Sequence, residues 1–132
     1  MTPTDIRLHK KSGLLELQYA DGSTYSLSAE FLRVLSPSAE VRGHGPGQEV
    51  LQIGKKNVKI ERIEPIGHYA IKLHFDDGHN TGLYSWEYLH ELSHNQQALW
   101  QNYLQRLQAA GARREPLDSG VQVVNIMPLQ PQ

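Results

Sequence analysis

The sequence predicts an α+β fold: two similar strand–strand–helix units with antiparallel sheet, and a longer C-terminal helix packed on it. Two observations predict it. The first is an internal echo, since residues 15–35 read LELQYADGSTYSLSAEFLRVL and residues 71–92 read IKLHFDDGHNTGLYSWEYLHEL. Leu15, Leu17, Tyr19, Asp21 and Gly22 align with Ile71, Leu73, Phe75, Asp77 and Gly78. After one inserted residue, Ser28, Glu30, Phe31, Leu32 and Leu35 align with Ser85, Glu87, Tyr88, Leu89 and Leu92. The second observation is periodicity: in each copy apolar residues alternate as in a strand, and a serine then opens a helical pattern.

Taken in order, Ile6 and Leu8 alternate with polar neighbours over residues 5–9, as in a half-buried strand. Ser12-Gly13 signals a turn, and Leu15, Leu17 and Tyr19 form the inward face of the next strand. Asp21-Gly22 suits a tight hairpin because glycine takes positive φ without steric cost, and residues 24–27 return as a third strand. Ser28 is a candidate N-cap with Glu30 in the first turn of a short helix ending near Leu35. Residues 36–47, SPSAEVRGHGPG, are expected to be loop. The second unit is expected to open with a hairpin of residues 50–53 and 58–63 around Gly54-Lys55-Lys56-Asn57. Strands over 70–75 and 81–84 follow, then a helix capped by Ser85. Ser93-x-x-Gln96 reads as a second capping box, where the helix would break and restart. The restarted piece carries Leu99, Trp100, Tyr103, Leu104 and Leu107 as one apolar stripe ending at Ala110-Gly111. The expected core is Leu17, Tyr19, Phe31, Leu32, Ile60, Leu73, Phe75, Trp86, Leu89 and Trp100. A single domain is expected over residues 1–111, with a flexible tail over 112–132.

Composition excludes several functions. At 132 residues the chain is long enough for one domain with a real core. Thirteen Lys and Arg against fourteen Asp and Glu leave no strong field toward nucleic acid or anionic lipid. The absence of cysteine excludes disulfides, iron–sulfur ligation and thiolate zinc sites. No apolar run approaches the roughly 20 residues of a membrane span, and MTPTDIRLHKK lacks the apolar region of a signal peptide. The expectation is a cytoplasmic, bacterial-type protein with no membrane and no nucleic-acid partner.

His90-Glu91-Leu92-Ser93-His94 matches the H-E-x-x-H zinc-protease pattern. A catalytic zinc needs a third protein ligand, and only Glu115 and Asp118 follow. A continuous helix would also turn both histidines away from its apolar face, and a break at Ser93 would destroy their spacing, so the match is read as chance. Gly54-Lys55-Lys56 lacks the frame of a phosphate loop. The basic strip of Lys55, Lys56, Lys59 and Arg62 is interrupted by Glu61 and Glu64, without interleaved aromatics.

The Leu35-Ser36-Pro37-Ser38-Ala39-Glu40 loop, the Asp77-Gly78-His79 turn and the Tyr84-Ser85-Trp86 helix start occur in order across residues 4–111. Through them the chain resembles the gamma-butyrobetaine hydroxylase N-terminal-like domain family, in its stand-alone bacterial form of unassigned function. Zinc-bearing members of that family use three loop cysteines and the histidine of the second Asp-Gly-His turn. The matching positions here are Ser36, Ser38, Val41 and His79. The resemblance therefore implies a retained histidine without its thiolates, no zinc and no other cofactor.

Relatives carry the domain fused to 2-oxoglutarate-dependent oxygenases and to iron–sulfur carrier ATPases. An oxygenase barrel with its facial triad does not fit in this chain, so hydroxylation is not carried over. The resemblance implies a non-enzymatic cytoplasmic binding or adaptor module for another protein, linked to iron–sulfur or metallo-enzyme maturation. The alternative is a small-ligand or metal-binding protein, or a weak enzyme, using His79, Asp77 and His44. Candidate binding residues are His79, Asp77, Trp86, Ser36, Ser38 and His44, with no catalytic residue and no metal ligand assigned.

Overall fold

A computed structural model describes residues 1–116 of the protein. Strands β1 (Asp5–His9), β2 (Leu14–Gln18) and β3 (Thr24–Ser28) form one antiparallel sheet in that order. Strands β4 (Ile60–Ile66), β5 (Ala70–Phe75) and β6 (Leu83–Ser85) form a second. Helix α1 (Ala29–Val34) follows the first sheet, and α2 (Ala39–Arg42) lies in the connection to the second. Helices α3 (Trp86–His94) and α4 (Gln96–Ala109) follow the second sheet. The fold is α+β, with the two predicted units in the predicted order.

Alternation decides which faces meet. Leu15 lies opposite Leu8 and Leu27, and Leu17 opposite Ile6 and Tyr25, so one face of the first sheet is apolar. In the second sheet Leu73 opposes Ile63, Phe75 opposes Ile60, and Ile71 opposes Tyr84. These faces merge with Phe31, Leu32, Leu89 and Leu92 from α1 and α3 into one buried cluster. Neither unit has a core of its own. The two caps are equivalent: Ser28 Oγ accepts from Phe31 N–H at 3.0 Å and Ser85 Oγ from Tyr88 N–H at 3.1 Å.

Five details differ from the expectations. Residues 50–53 form no strand: Val50 and Ile53 are exposed, and Val50 N–H donates to Val41 O at 2.7 Å. The N–H groups of Gly54 and Lys56 go instead to the carbonyls of Arg113 and Arg114, both at 3.0 Å. Thus the chain does not leave the fold at Gly111. Ala112 packs on the α4 cluster, and Arg114 grips Glu30 through two bonds of 2.7 and 2.8 Å. The rest of the expected tail lies outside the described residues. The loop over 36–47 contains α2, because Ser38 Oγ caps it by accepting from Glu40 N–H at 3.1 Å.

The helix break falls at Asn95, not Ser93. Ser93 lies inside α3, buried and donating to Leu89 O, so it is not the cap of the next helix. Finally, Trp86 and Trp100 are only partly buried against the core that holds the other eight expected residues. The Trp86 indole N–H must find an acceptor, and it takes His68 O at 2.6 Å at the sheet's end. In α4, Leu99 and Trp100 reach the main core, while Tyr103 and Leu107 pack with Val34, Leu35 and Leu51 in a smaller cluster.

Candidate functional site

The chemistry-bearing residues converge where the connection after α1 meets the β5–β6 turn. Helix α1 ends at Leu35, and its free carbonyls are capped from the second unit. Tyr84 Oη donates to Leu32 O, and Tyr88 Oη donates to Leu35 O at 2.6 Å. Burial raises both phenols above their ordinary value, keeping them protonated as donors. Ser36, Pro37 and Ser38 are thereby held against the second hairpin, whose turn places Asp77 and His79.

His79 is 5% exposed. Its Nε2 lies 2.8 Å from Ser36 Oγ and its Nδ1 3.2 Å from Glu40 Oε2. Burial first, and then the nearby Arg33 charge, lower its proton affinity, against the opposing pull of Glu40 and Asp77. The ring is therefore neutral near pH 7 and can donate once and accept once. A single proton arrangement satisfies the cluster: Ser36 donates to Nε2, and Nδ1–H donates to Glu40. Thr81 Oγ1 donates to Glu40 Oε1 at 2.9 Å, and Ser38 Oγ donates to Thr81 at 2.6 Å. Ser36 Oγ also accepts from Ser38 N–H at 3.3 Å.

Asp77 organises the other side of the turn. Oδ1 accepts from His79 N–H at 3.1 Å, while Oδ2 binds Arg33 Nε at 2.9 Å and Lys55 Nζ at 2.7 Å. Burial alone would raise this carboxyl, but Lys55, the His79 N–H and Arg33 outweigh it and hold its pKa at about 2. Arg33 is buried and also donates to Gln52 Oε1 at 2.9 Å. One carboxylate thus ties together α1, the segment before β4 and the β5–β6 turn.

Ser36, His79 and Glu40 have the hydrogen-bond order of a Ser–His–acid triad. A catalytic serine must touch its substrate, and Ser36 is 1% exposed. Gly82 closes over it: a Cβ at that position would overlap Ser36 Oγ and meet Pro37 Cδ at 3.1 Å. Ser36 and His79 are sealed and Glu40 alone reaches solvent, so the arrangement is a structural relay rather than a nucleophilic centre.

Of the four positions that the resemblance assigns to zinc, Ser36, Ser38 and His79 are joined by hydrogen bonds, and Val41 follows on α2 with its N–H on Ser38 O. Two neutral hydroxyls and a valine replace the thiolates, and both nitrogens of the single imidazole are engaged in hydrogen bonds. This donor set does not fit zinc. Among the described residues no group of three or more His, Cys, Asp or Glu is placed to hold a metal ion.

The six sequence candidates therefore divide. Ser36, Ser38, Asp77 and His79 form one cluster. His44 is exposed and lines an open depression with Arg42, Pro46 and Glu49 that includes neither His79 nor Asp77. Trp86 lies by the β4–β5 turn, at the opposite end of β5 from His79. Sequence reasoning missed Glu40, Thr81, Arg33 and Lys55. Glu40 stood inside the quoted loop motif, and the repeat placed Arg33 on the helix that follows an Asp-Gly turn. Neither signal states which charges meet.

The pattern of the gamma-butyrobetaine hydroxylase-like N-terminal family matches residues 6–90. The chain belongs to that family. Two proteins solved in solution by NMR are similar over 94% of this chain. One is 51% identical with a TM-score of 0.77 and 98% of its own chain covered, the other 53% identical with 0.74 and 93%. A crystal structure from Acidithiobacillus ferrooxidans, described as a DUF971-family protein of unknown function, is 41% identical with a TM-score of 0.59. That match covers 70% of this chain and 92% of that one. Comparison with curated proteins finds no match.

Proposed function

We propose that this family member is a non-enzymatic binding or adaptor module that docks on another protein in the cytoplasm. Iron–sulfur or metallo-enzyme maturation is the setting that the resemblance implies. The observation that carries the reading is the burial of Ser36 and His79, which leaves the nucleophile and its base satisfied by hydrogen bonds and not presented to a substrate. The near-neutral net charge supports a protein partner over nucleic acid. No described helix is long and apolar enough to cross a membrane. Contact surface exists elsewhere: Tyr69 is 59% exposed and Leu83 43%.

The test is affinity capture from the native cells with the wild-type chain, a Tyr69→Ala/Leu83→Ser variant and a Ser36→Ala variant. The adaptor reading expects a stoichiometric partner retained by Ser36→Ala and lost by the surface variant. Recovery of a tightly bound small molecule instead, released by substitutions at Ser36 or His79, would favour the ligand-binding alternative.

A further inference from the structure

The H-E-x-x-H match carries more than chance spacing. Helix α3 runs unbroken through His94, so His90 and His94 sit one turn apart on one face, with their Nε2 atoms 2.9 Å from each other. Their ring centroids are 4.1 Å apart. The pair lies against aromatic residues of the first unit, with His90 half-buried and His94 exposed. Tyr19 meets the His90 ring edge-on at 5.6 Å, and Tyr25 Oη stands 3.3 Å from His94 Nε2.

We propose that His90 and His94 form a two-nitrogen chelate for a late first-row divalent cation, Cu2+ or Ni2+, with water and the Tyr19–Tyr25 edge completing its surroundings. The bite distance, which in the metal-free pair is that of a hydrogen bond between the two rings, is compatible with one metal class. With metal–nitrogen bonds of about 2.0–2.1 Å, a 2.9 Å separation closes an angle of about 90°, the cis angle of tetragonal Cu2+ and Ni2+ sites. Tetrahedral zinc would need the nitrogens about 3.3 Å apart. Binding requires both rings neutral with the proton on Nδ1.

One neighbour favours this use. Tyr19 is 4% exposed, and its hydroxyl has no hydrogen-bond partner among the described residues, so its ring brings an unpartnered donor to the side of His90. Nothing here activates water for peptide hydrolysis. Glu91 is exposed and lines neither the depression at Phe31 and Trp100 nor the one at His44. The inference is binding, not proteolysis, and it concerns a site separate from the His79 cluster.

The experiment is titration of the untagged full chain with CuCl2, and separately NiCl2, followed by calorimetry and, for copper, electron paramagnetic resonance. The expected result is one equivalent of Cu2+ with hyperfine structure from two imidazole nitrogens. Affinity should fall by at least about tenfold in His90→Ala and in His94→Ala, since even an outer-shell partner is worth that much. His44→Ala and His68→Ala, on other exposed histidines, should leave it unchanged. Circular dichroism checks the fold, and His90→Gln repeats the test with a bulkier side chain. Absence of binding, a one-nitrogen signal, or equal losses in the control variants would overturn the assignment.

Discussion

In the first hairpin, Asp21 Oδ1 accepts from Ser23 N–H at 2.9 Å, and in the second, Asp77 Oδ1 accepts from His79 N–H at 3.1 Å. Gly22 and Gly78 take φ of 89° and 88°, and each donates to the carbonyl three residues back, Tyr19 or Phe75. The two turns share one backbone. Their surroundings do not match. Asp21 also takes the Ser23 hydroxyl and stays in solvent, whereas Asp77 takes Arg33 and Lys55. His79 is buried beneath the residue 36–40 connection, for which the first turn has no counterpart. The helices show the same inequality: the repeat aligns His90 with Arg33, each beside the other unit's Asp-Gly turn, yet one is half-exposed and the other buried. Identical local chemistry becomes a surface turn or a structural hub according to what chain is laid over it.

Breaking the hub should therefore cost far more than breaking its counterpart. Arg33→Ala leaves a partly buried Asp77 with Lys55 as its one remaining cation among the described residues, and is expected to lower unfolding free energy by about 3 kcal/mol. His90→Ala should change it by less than about 0.5 kcal/mol. Urea denaturation of both variants measures the difference, and equal losses would mean the asymmetry is not energetic.

His79→Ala should cost about 2 kcal/mol, because it removes a buried ring and leaves the Ser36 hydroxyl without its acceptor. Ser23→Ala, at the aligned position, should fall within about 0.5 kcal/mol of wild type by the same measurement.

Acid sharpens the comparison further. His79 is harder to protonate folded than at its ordinary value of 6.5, so its contribution is complete above that pH and is lost as pH falls below it. Asp77, held at about 2 against an ordinary 3.8, contributes stability present above 3.8 that disappears as pH drops toward 2. With allowance for solvent screening, its share is about 1–2 kcal/mol. Thermal melts from pH 7 to 2 should show both losses, and Asp77→Asn should remove the lower one. Asp21→Asn should leave it in place.

The smallest effect tests where the units agree. Ser28→Ala and Ser85→Ala should each cost about 1 kcal/mol, since both hydroxyls cap a helix in the same geometry. A clear inequality would show that the caps, like the turns, depend on what surrounds them.

Much of this was legible without coordinates. Leu15, Leu17 and Leu27, with Ile71, Leu73 and Phe75, declared their buried faces by alternation, and Ser28 and Ser85 declared the helix starts. The pattern failed where a segment takes its hydrogen bonds from far along the chain. Residues 50–53 looked like a strand, but Gly54 and Lys56 bond to residues 113 and 114. Ser93 looked like a cap, but its hydroxyl had a nearer acceptor in Leu89 O.

The candidate cluster shows the same division. The sequence placed Ser36, Ser38, Asp77 and His79 in two motifs more than thirty-five positions apart. It also excluded thiolate zinc by composition alone. Period and turn chemistry are local, so the doubled unit, its Asp-Gly turns and its serine caps can be read from neighbouring residues. Which turn is buried, which proton His79 carries and whether Ser36 meets solvent are set by contacts of Glu40, Arg33, Lys55 and Gly82 across long stretches of chain. Burial and charge pairing act through space, and only the tertiary structure brought those partners together.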